Sequence, residues 1–108
     1  MTVAEMAKEL SLKPLVAADE TREVTGGYAG DLLSWVMGRA QSGDAWVTIM
    51  SNANIVAVAT LADPSAVILS EGVLPEENVL KLAETKGVNI YMSEEDTFSV
   101  CGKLAKLL

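Results

Sequence analysis

Thr25-Gly26-Gly27-Tyr28-Ala29-Gly30-Asp31-Leu32-Leu33 is the stretch that decides how this chain is read. Two adjacent glycines close a short extended segment, Glu23 to Thr25, and an acidic residue opens an apolar run of helical pattern. Glycine permits backbone angles and close approaches that a Cβ would block. The stretch is therefore expected to be a tight turn leading straight into a helix. A helix N-terminus carries unpaired N–H groups and the positive end of the dipole, which suits an anion. Gly26 and Gly27 are accordingly candidates to cradle a phosphate, against the alternative of a turn that needs positive φ. Asp31 favours the plain turn, because an acid in the first helical turn already takes the anion-favouring place.

Outward from that stretch the pattern alternates. Leu32, Leu33, Val36, Met37 and Ala40 share one helical face, and Gly43 stands where a C-terminal cap belongs, so a helix is expected over about 30–41. Ala45 to Met50 reads as a strand. Ser51-Asn52-Ala53-Asn54 can cap the segment after it. That segment, Ile55 to Ala62, reads two ways: its Val and Ile favour a strand, whereas the spacing of Ile55, Val56, Val58, Ala59 and Ala62 and the stop at Asp63-Pro64 suit a buried helix. Ala66 to Leu69 and Val88 to Met92 read as strands. Between them, Pro75-Glu76-Glu77 opens a helix that carries Val79, Leu80, Leu82 and Ala83 and closes at Gly87. Ser93 with Asp96 resembles a capping box, and Phe98, Cys101, Leu104, Ala105 and Leu108 form the last apolar face. Upstream, Thr2 and Glu5 have capping-box spacing for a helix over about 3–10, with a short strand, Pro14 to Ala17, and a polar turn, Asp19 to Arg22, beyond it. The order implies an α/β fold in three layers, a largely parallel sheet of about four strands flanked by helices, with residues 1–108 as one domain.

Composition excludes several function classes. The net charge of −7 disfavours nucleic acid and anionic membrane surfaces as partners. Ala4 to Leu10 faintly resembles the first helix of a helix-turn-helix, but no basic recognition helix comes after it. One cysteine and no histidine leave no disulfide within the chain and argue strongly against a histidine/cysteine zinc, haem or iron–sulfur site. The N-terminus shows no signal-peptide pattern and no apolar run is long enough to span a bilayer, so a cytoplasmic protein is expected. Half of the residues are apolar, although only 5% are aromatic, which is generous for so small a chain. Either the sheet is covered on both faces or apolar surface meets a partner.

Ligands of open α/β sheets bind beyond the carboxyl ends of strands. A small ligand is therefore expected against Ser51, Asn52 and Asn54 together with Thr25, Gly26, Gly27 and Tyr28, unless the former only cap a helix. Trp35 and Arg39 lie four residues apart, off the apolar face of their helix, and are candidates for an interface, with the arginine stacked on the ring, against the alternative of a locally packed surface tryptophan. Trp46 starts a strand and is expected in the core. Cys101 shares an apolar face with Phe98 and Leu104 and is expected to be an inert buried thiol rather than a redox sensor. Glu76, Glu77, Glu94, Glu95 and Asp96 sit at helix starts and read as dipole partners rather than Mg²⁺ ligands. No activated nucleophile or paired base is visible, so no catalytic residue and no cofactor are expected.

From Glu23 onward the chain resembles the DRTGG domain family. The resemblance is carried by Glu23 to Leu33, by Gly43-Asp44-Ala45-Trp46-Val47-Thr48 and by Asn54-Ile55-Val56-Ala57-Val58-Ala59. Thr25-Gly26-Gly27 matches the end of the family's Asp-Arg-Thr-Gly-Gly signature. Glu23-Val24 replaces its Asp-Arg, with Arg22 offset by one residue, which bears on any role of that arginine in gripping a phosphate. The resemblance implies a fold similar to the N-terminal domain of HPr kinase/phosphorylase and favours the helix over Ile55 to Ala62. The chain lacks the phosphate-binding loop that the kinase's catalytic domain needs. The resemblance further implies a free-standing regulatory or assembly module, a homodimer or an accessory subunit of an enzyme such as a hydrogenase or other redox enzyme. The alternative is a sensor of an adenine nucleotide or another phosphorylated metabolite.

Overall fold

In the computed structural model, which describes residues 1–108, the capping box at Thr2 forms as spaced. Thr2 Oγ1 accepts from the Glu5 amide and Glu5 Oε1 accepts from the Thr2 amide, starting α1 (Val3–Glu9). The chain then runs through β1 (Lys13–Val16), β2 (Gly26–Ala29), α2 (Leu33–Arg39), β3 (Asp44–Thr48), α3 (Asn54–Ala62), β4 (Ala66–Leu69), α4 (Glu77–Lys86), β5 (Ile90–Met92) and α5 (Thr97–Leu107). The five strands form one sheet in the order β1-β5-β4-β3-β2. β2 to β5 run parallel to their neighbours, and β1 joins β5 antiparallel. Pro14, which cannot donate to a ladder, sits on the β1 edge, where that is tolerated.

Two apolar clusters make the three layers. On one face Met6, Leu10 and Val24 pack with Val47, Ile68, Val100 and Leu104, under α1 and α5. On the other, Val36, Ile55, Val56 and Val79 pack with Trp46, Val67 and Ile90, under α2, α3 and α4. The central strands β3 and β4 are buried at every residue, as sheets covered on both sides require. Ile55 to Ala62 is helical: its β-branched residues are drawn into the second cluster by tertiary packing, which outweighs their strand preference.

Four expectations are corrected. The sheet has five strands, not about four. Gly26 and Gly27 lie inside β2 rather than in a turn, with no positive φ at either. They are read as a turn because glycine disfavours strands, yet Gly26 to Ala29 pairs residue for residue with Asp44 to Val47. The extended piece expected over Glu23–Thr25 is reduced to a single bridge between Glu23 and Thr2. Finally, α2 is shorter than 30–41, because Gly30, Asp31 and Leu32 are spent on the connection. Of its expected apolar face only Val36 is buried, while Leu32 and Met37 are exposed.

Candidate functional site

The glycines owe their identity to close approach. A Cβ on Gly26 would stand 2.7 Å from Asp44 Oδ1, and one on Gly27 would stand 3.2 Å from Leu104 Cδ2 of α5. The left-handed conformation is found instead at Gly43 (φ +90°), where a Cβ would meet Thr25 Oγ1 at 2.5 Å. The Thr25 amide donates to Gly43 O (3.0 Å), so Thr25, Gly26 and Gly43 close the amino-terminal edge of the parallel strands.

Asp31 has a different role from the one its position suggests. It lies before α2, whose N-cap is Leu32, without a side-chain cap. Its Oδ1 accepts from Thr48 Oγ1 (2.7 Å) and from the Ile49 amide (2.9 Å), tying the β2–α2 connection to the carboxyl end of β3. Just beyond, Asn52 Oδ1 accepts from the Asn54 amide (2.9 Å) as α3 begins.

The structure therefore divides the expected ligand-binding residues. Ser51 and Asn52 line a cleft of about 380 Å³ at the carboxyl end of the sheet, with Leu74, Glu76 and Asn78 opposite. Asn54 is exposed beside it. Thr25 and Gly26 stand at the other end of the strands, and Gly27 and Tyr28 line a separate apolar groove of about 300 Å³ between β2 and α5. The parallel ladder, which places Gly26 opposite Asp44 at the start of β3 and not opposite its end, is the reason. Glu76 is the one charged residue lining the carboxyl-end cleft, so a polyphosphate there meets a carboxylate. Leu74 and Asn78 carry no motif in the sequence; the β4–α4 connection and the first turn of α4 bring them to the cleft with Asn52.

Arg22 is held by structural contacts. Its guanidinium donates to Asp63 Oδ1 (3.0 Å), Pro64 O (3.1 Å) and Asp63 O (3.3 Å), holding the approach to β2 against the end of α3. Asp63 adopts φ +60° as the C-cap. The Ser42 hydroxyl and then Arg22 hold its carboxyl below the usual aspartate range.

Trp35 is 52% exposed, and the Arg39 guanidinium carbon lies 3.7 Å from its ring centroid, so the stacked pair forms as the spacing suggests. Trp46 is fully buried, its indole N–H donating to Gly30 O at 2.9 Å. Cys101 is partly buried in the wall of the β2–α5 groove, and burial pushes its thiol up, which favours the unreactive protonated form. Phe98, expected on the apolar face against the sheet, is instead 88% exposed: Val100 and Leu104 take the inward positions of α5. No three His, Cys, Asp or Glu side chains come together in a way that could hold a metal ion, and no helix is long and apolar enough to cross a membrane.

Comparison with known proteins gives a consistent result. A search of curated protein sequences finds no match. Among solved structures, the CBS and DRTGG domains of the regulatory region of Clostridium perfringens pyrophosphatase, complexed with the activator diadenosine tetraphosphate, superpose with a TM-score of 0.79. At 14% identity this likeness concerns the fold; it covers 99% of this chain and 47% of that one, so the chain spans about half of that regulatory region. The DRTGG domain family matches residues 5–107, and the chain belongs to that family.

Proposed function

We propose that this chain is a non-catalytic regulatory or assembly module that works by contact, as a homodimer or as an accessory subunit of a metabolic or redox enzyme. The observation that carries the reading is the apolar surface left in water: Trp35 stacked under Arg39, with Leu32 and Met37 exposed on the same short helix and its start. Tryptophan and arginine are the residue types that most often dominate protein interfaces. Native mass spectrometry of protein purified gently from its host tests it. Whole-chain multiples or a bound second protein support the reading, and Trp35→Ala should weaken that association about tenfold or more. An assembly whose mass and affinity are unchanged in Trp35→Ala removes that residue from the contact.

A second reading is a sensor of adenine nucleotides. It is supported by the pyrophosphatase regulatory region that shares the fold and was captured with diadenosine tetraphosphate. It is also supported by the cleft at Ser51 and Asn52, where amide and hydroxyl groups could take a base or ribose edge. Titration calorimetry with a panel of adenine nucleotides checks it: absence of heat at millimolar ligand sinks this reading and leaves the first untouched.

A further inference from the structure

Helix α5 carries a second apolar stripe that the fold uses only in part, with Cys101 packed at the edge of the core and Phe98 left in water. Val100 and Leu104 turn inward, while Phe98, Cys101, Ala105 and Leu108 recur at i, i+3, i+7 and i+10 along an adjacent flank. That flank overhangs β2, the edge strand, which pairs only with β3. Leu104 and Leu108 come over Gly27, but Gly27 and Ala29 offer almost no side chain of their own, and the groove of about 300 Å³ opens between strand and helix. One end of the same helix thus presents a protruding Phe98, 88% exposed, and the other end presents an apolar hollow floored by Val47 and Leu104.

The geometry points to a second copy of this chain as the occupant: two α5 helices cross antiparallel, and Phe98 of each copy seats in the β2–α5 groove of the other. This rests on the assembly reading and gives it a self-contact. Phe98 and Ala105 are seven residues apart, about 10 Å along the helix. A two-fold axis between Cys101 and Gly102 brings each Phe98 opposite the other copy's Ala105. An isologous contact needs such a self-complementary patch, knob and hollow on one surface. Gly102 has nothing within 4 Å of where its Cβ would stand, so the crossing point is open to close approach. No charged side chain lies in the stripe, which lets two chains of net charge −7 meet at neutral surface. Lys103, on the far side of α5 from the stripe, is paired with Glu95 at 2.7 Å. An aromatic side chain offers about 200 Å², so with Leu108 and the groove walls each copy would bury on the order of 500 Å². The total is near the lower limit for a specific dimer, and a concentration-dependent pair is expected.

Sedimentation equilibrium of the whole chain from about 1 μM to about 1 mM tests this, with Phe98→Ala, Ala105→Glu and Trp35→Ala run beside the wild type. Phe98 and Ala105 are exposed, so circular dichroism and melting of their variants should match the wild type. The expected result is a wild-type dimer whose dissociation constant rises about tenfold or more in Phe98→Ala and beyond measurement in Ala105→Glu. A wild type that dimerises equally well with both substitutions overturns the inference; loss in Trp35→Ala alone moves the contact to α2 and keeps the assembly reading. A wild type that stays monomeric throughout also overturns it, leaving the groove to a different protein and the accessory-subunit reading standing.

Discussion

Gly26 is glycine because a carboxylate stands beside it. Asp44 is buried, and its Oδ2 accepts from the Gln41 amide (2.8 Å), so Oδ1 cannot retreat freely from a Cβ at 2.7 Å. Gly26→Ala should destabilise the protein by about 1–3 kcal/mol, read as a lower urea midpoint at unchanged slope. A variant as stable as the wild type would mean that β2 shifts to make room. Tyr91 carries a second residue-scale prediction. Burial, and then the neighbouring Glu20 carboxylate that accepts a hydrogen bond from its hydroxyl at 3.2 Å, push its phenol up to about 12. A group whose folded pKa is raised contributes stability that is full below its unfolded value and lost as pH rises through the folded one. Stability should therefore fall between about pH 10 and pH 12, by on the order of 2 kcal/mol from this group. Urea unfolding across that window should show the added slope in the wild type and not in Tyr91→Phe; equal slopes would refute the assignment. Neither neighbour, Asp44 for Gly26 nor Glu20 for Tyr91, is visible from local pattern, since each contact is made by residues distant in the chain.

At the scale of elements, α2 and α5 depart most from the pattern that announced them. α2 has seven residues, no side-chain cap and a single fully buried residue, Val36. Short helices without caps depend on tertiary packing for their stability. Amide exchange followed by mass spectrometry should find α2 opening first and the buried strands β3 and β4 last; protection of α2 equal to theirs in a monomer would contradict this. In α5 the apolar arc is wider than the sheet can cover, because β2 ends the sheet on that side. Periodicity marks Phe98, Cys101, Leu104, Ala105 and Leu108 as one face. Which part of a wide face meets the core is settled by where the sheet stops. By contrast α1, with its capping box, and α4, closed by Gly87 in the left-handed conformation, match their local signals.

For the whole molecule, the consecutive neighbours β2, β3, β4 and β5 are joined through helices that cover one face. The other face belongs to the two ends of the chain, α1 and α5, which leave β2 bare at its outer margin. A chain of net charge −7 repels its own copies, and added salt screens that repulsion. A self-contact made through the neutral α5 stripe should therefore tighten as sodium chloride is raised from low to about physiological ionic strength and above. Sedimentation at several salt concentrations measures it, and a dimer that weakens with salt would instead indicate a contact held by ion pairs.

The amino-acid sequence by itself determined the α/β alternation, the positions of α1, α4 and the buried strands, the burial of Trp46 and the stacking of Trp35 with Arg39. Each of these comes from spacing, caps and side-chain chemistry within a few residues, or from apolar runs too long to leave in water. Only the tertiary structure decided that Gly26 and Gly27 are strand rather than turn, that Asp31 ties a connection instead of opening a helix, and that Ser51 and Asn52 lie apart from Thr25 and Gly26. The physical reason is the parallel ladder. It sets which ends of the strands lie together and which strand is left at the margin, and it is built from contacts between residues that are neighbours in space and strangers in the chain.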